Sequence, residues 1–305
     1  MTRGETYVAP RAAASSGPVA VPGPGERANA GVTFVGGAGH SGSTLLGLVL
    51  GAHPQVFYAG EARKSLLFDD ARKPMRKRMC KVCGPGCAVW SGLERRTGED
   101  LYEALSRRTA RPLVVDSTKK VSWIEEQSRA VRAAGAEVRL LVLVRDGRAV
   151  VNSGLRKYPE ISPEAHARRW VEQLAATDAL AARFEGPVLR LRYEDMVQRP
   201  RETFESLTTT LGIEFVPTML EPWGAEQHPL GGNAGTQSLL DHAQTRADGP
   251  LALSGEKRAY YAAHPRSFVL DLRWRRELSS AARAASEAVA GEANAPYAWD
   301  DEGGP

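Results

Sequence analysis

Four apolar runs of strand length recur along the chain, and each breaks into a glycine-rich or polar cluster before a helical pattern begins. The first, GVTFVGG from Gly31, leads through a glycine-rich turn into a helix carrying Leu45, Leu46, Leu48, Val49 and Leu50. The second, PLVVDSTKK, turns polar at 116–120, and a helix is predicted over about 122–134. The third, EVRLLVLVRDGRAVVNSGLRKY, gives a strand over 137–144, a polar turn at 145–147 and a further helix that Asp146 is placed to cap. The fourth, GPVLRLRYEDM, precedes a helix from Pro200 to Leu211 that stops at Gly212. Between the third and fourth runs, residues 163–184 have helical periodicity, with Trp170, Leu174 and Phe184 toward the core. Strands alternating with helices predict an α/β fold: a central, mostly parallel sheet in a three-layer arrangement. Ligands of such sheets bind beyond the carboxyl ends of the strands, where the clusters 36–44, 116–120, 145–147 and 192–195 fall.

Residues 1–30 are rich in Ala, Gly, Pro and Ser without apolar periodicity, so they are expected to form a flexible tail. One domain is expected over 31–290, with 221–255 as a lid or acceptor-binding loop and 291–305 as a flexible C-terminal tail. No run approaches the ~20 apolar residues of a membrane span. Nor does the N-terminus show a charged-then-apolar leader, so a cytoplasmic protein is expected. A formal net charge of +4 fits polyanionic ligands of several kinds and does not choose among them. The basic runs at 72–78 and 273–276 read as solvated faces.

All three cysteines, Cys80, Cys83 and Cys87, fall in CKVCGPGC. A structural zinc site needs a fourth ligand, and none lies close in sequence. Reduced thiols or one labile disulfide are therefore expected, and no metal.

The chemistry concentrates in GGAGHSGSTLLGLVL, residues 36–50. Gly36, Gly37 and Gly39 permit a tight turn, and the amides from Gly39 through His40, Ser41, Gly42 and Ser43 to Thr44 then converge at a helix N-terminus, where anions are favoured. The hydroxyls of Ser41, Ser43 and Thr44 add donors. Yet the position where a nucleotide-triphosphate loop carries its lysine holds Ser43.

With its strand and helix, this stretch resembles the 5′-phosphosulfate loop of sulfotransferases that use 3′-phosphoadenosine-5′-phosphosulfate (PAPS). The family's cationic residue before Ser-Gly falls on His40. LVLVRDGRAVVNSGL resembles the family's 3′-phosphate segment, which places an arginine and a serine on Arg145 and Ser153; an arginine fork and a helix hydroxyl suit a phosphate. LRLRYEDM resembles its Tyr-Glu-Asp segment, with Tyr193 near the nucleotide. GEARK, VVDSTKK, CKVCGPGCAVW and HPLGGN resemble segments of bacterial members, and the likeness spans most of 31–280. The resemblance implies a P-loop NTPase-like sulfotransferase fold, PAPS as co-substrate, 3′,5′-adenosine bisphosphate (PAP) as product, and no required metal. The C-terminal R-K-G-x-x-G motif of animal cytosolic members is absent.

An in-line transfer needs a base beside the acceptor hydroxyl and cations around the transferred group. The candidates for the base are Glu61 and a residue of the 116–120 turn; likeness to the G-E-x-x-R context of tyrosylprotein sulfotransferases implies Glu61 as base and Arg63 as its acceptor-side or charge-stabilising partner. Lys119 is a candidate for the bridging oxygen or the sulfonate, and His228 a weaker one for the acceptor side. The expected partner is a small-molecule hydroxyl acceptor (phenol, sugar, lipid or natural product) walled by 61–110 and 221–255, not nucleic acid. The sequence leaves the oligomeric state open. Two rivals stand beside this reading: a P-loop nucleotide kinase and a non-catalytic polyanion binder using 72–78.

Overall fold

In the computed structural model, residues 26–93, 97–240, 251, 253 and 255–300 are described. Most of the expected N-terminal tail and part of the expected lid, 241–250, lie outside them. Five strands, β1 (Gly31–Gly37), β2 (Val56–Gly60), β3 (Leu113–Asp116), β4 (Glu137–Val144) and β5 (Val188–Arg192), form one sheet in the order β2-β3-β1-β4-β5. Every pairing is parallel, so all five carboxyl ends share one edge. Strand β2 is the strand the apolar pattern missed, and the helix Gly98–Thr109 is one it missed as well.

Strands buried on both faces read as continuous apolar runs, and β1 is buried at every residue. In β4, Leu140, Leu141 and Val142 are fully enclosed; each such side chain contributes about 1.5–3 kcal/mol by leaving water. The helices divide between the two faces. From β1 the chain moves through α1 (Ser43–Gly51) toward β2, whereas α2 (Gly98–Thr109), α3 (Val121–Ala133), α4 (Gly147–Lys157) and α5 (Pro163–Arg183) serve crossovers in the opposite direction. Right-handed crossovers then put α1 on one face and the others on the opposite face. The contacts agree: α1 packs on β2 and β3, while α3 and α5 pack on β1 and β4. Beyond β5 come α6 (Tyr193–Gln198) and α7 (Pro200–Leu211), the latter closed by Gly212 in the left-handed conformation.

The connections leaving β1 and β3 run in opposite directions, so the sheet opens a crevice between their carboxyl ends. Asp116, at the end of β3, fixes its floor. One carboxylate oxygen accepts from the backbone N–H of Thr118 (2.8 Å) and Ala62 (3.2 Å). The other accepts from the Tyr102 hydroxyl and the Trp123 indole N–H, both at 2.8 Å. Asp116→Ala would leave several buried donors without an acceptor. We expect a loss of about 3–5 kcal/mol in urea denaturation.

Strand β2 stands at the sheet edge but is buried throughout. Its cover comes from far along the chain. Leu230 donates its N–H to Ala59 (3.0 Å) and accepts from the Glu61 N–H (2.6 Å), and it also bridges to Cys80. The approach is close enough that a Cβ on Gly60 would sit 2.2 Å from the Leu230 oxygen. Covering an edge in this way removes its open pairing groups.

The C-terminal segment corrects the expectation of a tail from 291. The last helix runs Ser280–Asn294 and packs on α4 and α5. Beyond it, Arg192 donates to the carbonyls of Tyr297 (2.7 Å) and Ala298 (2.8 Å), and the Trp299 N–H donates to Asp146 (2.9 Å). At the other end, the N–H groups of Ala28 and Asn29 donate to Glu103, so packing begins before Gly31.

Candidate active site

The loop after β1 is built for an anion. Gly37 and Gly42 take φ values of 118° and 94°, and His40 sits at 67°. Gly42 is the N-cap of α1, whose first-turn N–H groups lack intrahelical partners and face the crevice. A side chain at Gly42 would meet the Tyr193 ring at 2.5 Å, so glycine is required there. The same ring lies under the Arg145 guanidinium, 4.2 Å from its carbon, which fixes the arginine relative to the loop.

These groups border one cleft of about 1350 Å³. Its walls include Gly39, His40, Gly42, Ser43, Thr44, Glu61, Lys119, Arg145, Ser153 and Tyr193, bringing together most of the residues singled out from sequence. Ser41 is 1% exposed and lies behind the wall, its hydroxyl without a partner. Arg145 is also buried. It donates to the His40 carbonyl (3.0 Å) and the Asp271 carbonyl (3.1 Å), while its Nε has no partner. A buried guanidinium N–H left open costs stability unless an acceptor fills it, so the site suits an incoming phosphate. Ser153, on α4, lines the same corner with Arg156 and Arg273.

The segment 269–276 supplies groups that sequence reasoning missed. Arg273, Arg275 and Arg276 line the cleft, although the run 273–276 reads in isolation as a solvated face. Asp271 holds the Arg273 guanidinium at 2.6 Å and touches Arg145 at 3.3 Å. Despite its burial, these arginines keep the Asp271 carboxyl well below the usual range. The run 72–77, by contrast, is exposed, as expected of a solvated face.

His40 is depressed to about 4, first by burial and then by the nearby charges of Lys157, Lys119 and Arg145. It is therefore neutral near pH 7 in the free protein, and a bound polyanion would raise it. Binding should then take up a proton. Affinity for an adenosine bisphosphate is expected to rise as pH falls through the bound-state pKa and to level off near 4; His40→Asn should flatten that dependence in calorimetry.

At the other end of the cleft, Glu61 follows β2. One oxygen accepts from the Gly232 N–H (3.0 Å), and the other pairs with Lys64 (2.9 Å). Burial pushes its carboxyl up, but Lys64, Lys119 and the Gly232 N–H more than offset that and hold it below the usual value. Burial also lowers Lys119. Asn233 donates its N–H to the Thr44 hydroxyl (2.9 Å), tying this loop to α1.

Two expectations need correcting. Arg63 is exposed and outside the cleft wall; the two-turn 3₁₀ helix Ala62–Leu67 instead brings Lys64, three residues on, to Glu61. His228 does not line the cleft: its Nδ1 lies 3.1 Å from Cys83 Sγ and 3.5 Å from Cys87 Sγ. Of 61–110, Glu61 alone among the described residues lines the cleft, while 221–255 contributes residues that include Trp223, Asn233 and Leu239, and Tyr260 and Tyr261 join them.

A parallel sheet with a glycine-rich loop at its switch point, a buried arginine beside it and a carboxylate lining the same cleft is the arrangement of an enzyme site suited to an anionic ligand. The model of the sulfotransferase family matches residues 33–217, and the chain belongs to that family. A Caenorhabditis briggsae protein provisionally named a protein-tyrosine sulfotransferase is 22% identical over 200 residues, covering 61% of this chain and 67% of its own. Among solved structures, the sulfotransferase domain from the curacin biosynthetic pathway aligns with a TM-score of 0.51 at 19% identity, over 86% of this chain and 97% of that domain. The sulfotransferase domain of the Synechococcus PCC 7002 olefin synthase aligns at 0.47 and 19% identity, over 78% and 96%.

Proposed function

We propose that the chain transfers the sulfuryl group of PAPS to a hydroxyl of a small-molecule acceptor, with Glu61 as general base. The observation that carries this is the single cleft joining three chemistries: the amide-rich loop, the Arg145–Ser153 corner and the Glu61–Lys119 end. PAPS supplies an activated sulfuryl group next to a good phosphate leaving group. The loop amides and Thr44 would hold the 5′-phosphate, and His40 would donate to it. Arg145 and Ser153 would take the 3′-phosphate. Lys119 would stabilise charge on the transferred group, while Glu61, ionised at neutral pH, accepts the acceptor's proton.

The kinase alternative is disfavoured by Asp116. It stands where a magnesium-binding carboxylate would, at the end of the strand beside β1, but it is buried and both its oxygens are committed to protein donors. The aromatic wall of Trp223, Tyr260 and Tyr261 favours a flat or apolar acceptor, and a phenol agrees with the name of the C. briggsae relative. Incubation with PAPS and panels of phenols, sugars, lipids and natural-product alcohols, read by mass spectrometry, should show gain of one SO₃ group on a phenolic or apolar alcohol together with release of PAP. Turnover only with a nucleotide triphosphate and magnesium would refute it.

A further inference from the structure

The cysteine-rich turn forms a second constellation outside the cleft. The sulfurs of Cys80, Cys83 and Cys87 and one ring nitrogen of His228 all lie within 4.8 Å of one another. The sequence hid this set because its fourth member is 141 residues beyond Cys87. We propose that these four side chains form a structural zinc site, with Cys80, Cys83 and Cys87 as thiolates and His228 bound through Nδ1.

The surroundings are those of a metal site. Zinc–thiolate bonds of about 2.3 Å in a tetrahedron place neighbouring ligand atoms roughly 3.5–3.8 Å apart, near the spacings already present. The Val82 and Cys83 N–H groups both point at Cys80 Sγ at 3.4 Å, where they would stabilise thiolate charge. A turn closes beneath it, with the Gly84 N–H donating to the Cys80 carbonyl (3.1 Å) and Gly84 at φ 82°. The other ring nitrogen of His228 reaches Glu226 at 3.0 Å, the outer carboxylate that orients a metal-binding imidazole. Trp90 donates its indole N–H to the His228 carbonyl (2.6 Å) and shields the cluster. None of the three cysteines is joined in a disulfide in the structure. A disulfide would join two of the sulfurs and leave the third thiol and the imidazole aimed at an empty centre. Four protein ligands leave no open position, so the site is structural, and each thiol gives up its proton to solvent as the metal binds.

The knot lies behind the active site. It joins 80–87 to the 226–233 loop, whose Leu230 caps β2, whose Gly232 holds Glu61 and whose Asn233 holds Thr44. His228 and the cysteines are thus positioning residues. The inference is independent of the sulfuryl-transfer reading: a zinc-bearing chain inert toward PAPS would sink that reading alone.

The test is elemental analysis of the full chain purified under reducing conditions without chelator, followed by replacement of the metal with cobalt(II). We expect about one zinc per chain, a lower melting temperature after metal removal, and intense tetrahedral ligand-field and thiolate charge-transfer bands with cobalt. His228→Cys should keep the metal and shift the cobalt bands toward a four-thiolate pattern, whereas His228→Ala should weaken binding. A chain isolated without metal that gives only weak octahedral cobalt bands would overturn the proposal. So would a disulfide among the three cysteines in the reduced preparation. Both readouts use the unmodified chain, so a variant that fails to fold leaves the test standing.

Discussion

Arg145→Ala is expected to weaken PAP binding at least about 100-fold, the effect of losing two charge-assisted hydrogen bonds to a phosphate in a buried corner. The native arginine is 6% exposed and is oriented by the His40 carbonyl, the Tyr193 face and Asp271 before any ligand arrives. Little ordering entropy then remains to oppose binding. The fold should survive, because Asp271 keeps its closer partner, Arg273. Titration calorimetry reads the loss directly. Unchanged affinity with an intact thermal transition would remove the arginine from the nucleotide site.

The second large effect is kinetic. Glu61→Gln should lower kcat by about 10²–10⁴-fold while leaving PAP affinity within a few-fold of the native value. The amide oxygen can still accept the Gly232 N–H, so the loop should stay in place; what disappears is the carboxylate that takes a proton. Lys64 and Lys119 hold Glu61 ionised but make it a modest base. Activity therefore should persist well below neutral pH before protonation of Glu61 abolishes it. Single-turnover measurements of PAP release from PAPS and an acceptor separate this step from binding. A variant with native kcat would move the base elsewhere.

What was legible in the sequence was the interior of the sheet and the loop at its switch point. Strand β4 and helix α7 fall where the apolar runs, Pro200 and Gly212 put them. Asp146 caps α4 by accepting from the Arg148 N–H. These features are local: each depends on periodicity or on a cap within a few residues. Strand β2 was not legible, because VFYAG is a short run whose burial depends on Leu230, about 170 residues later. The same non-locality hid His228 among the cysteines and Arg273 beside Arg145, whereas Lys64 rather than Arg63 meets Glu61 because a short 3₁₀ helix turns the chain there. The C-terminal stretch looks polar and loose in isolation, yet Arg192 donates to the Tyr297 carbonyl at 2.7 Å and lies over the Trp299 ring at 4.7 Å, contacts that only the folded chain assembles.

The most direct measurement is calorimetric titration of the native chain with PAP in the absence of magnesium, set against ATP with magnesium. The account predicts saturable PAP binding that needs no divalent ion and is far tighter than binding of the triphosphate. Tight binding of magnesium-ATP with no detectable binding of PAP would contradict it.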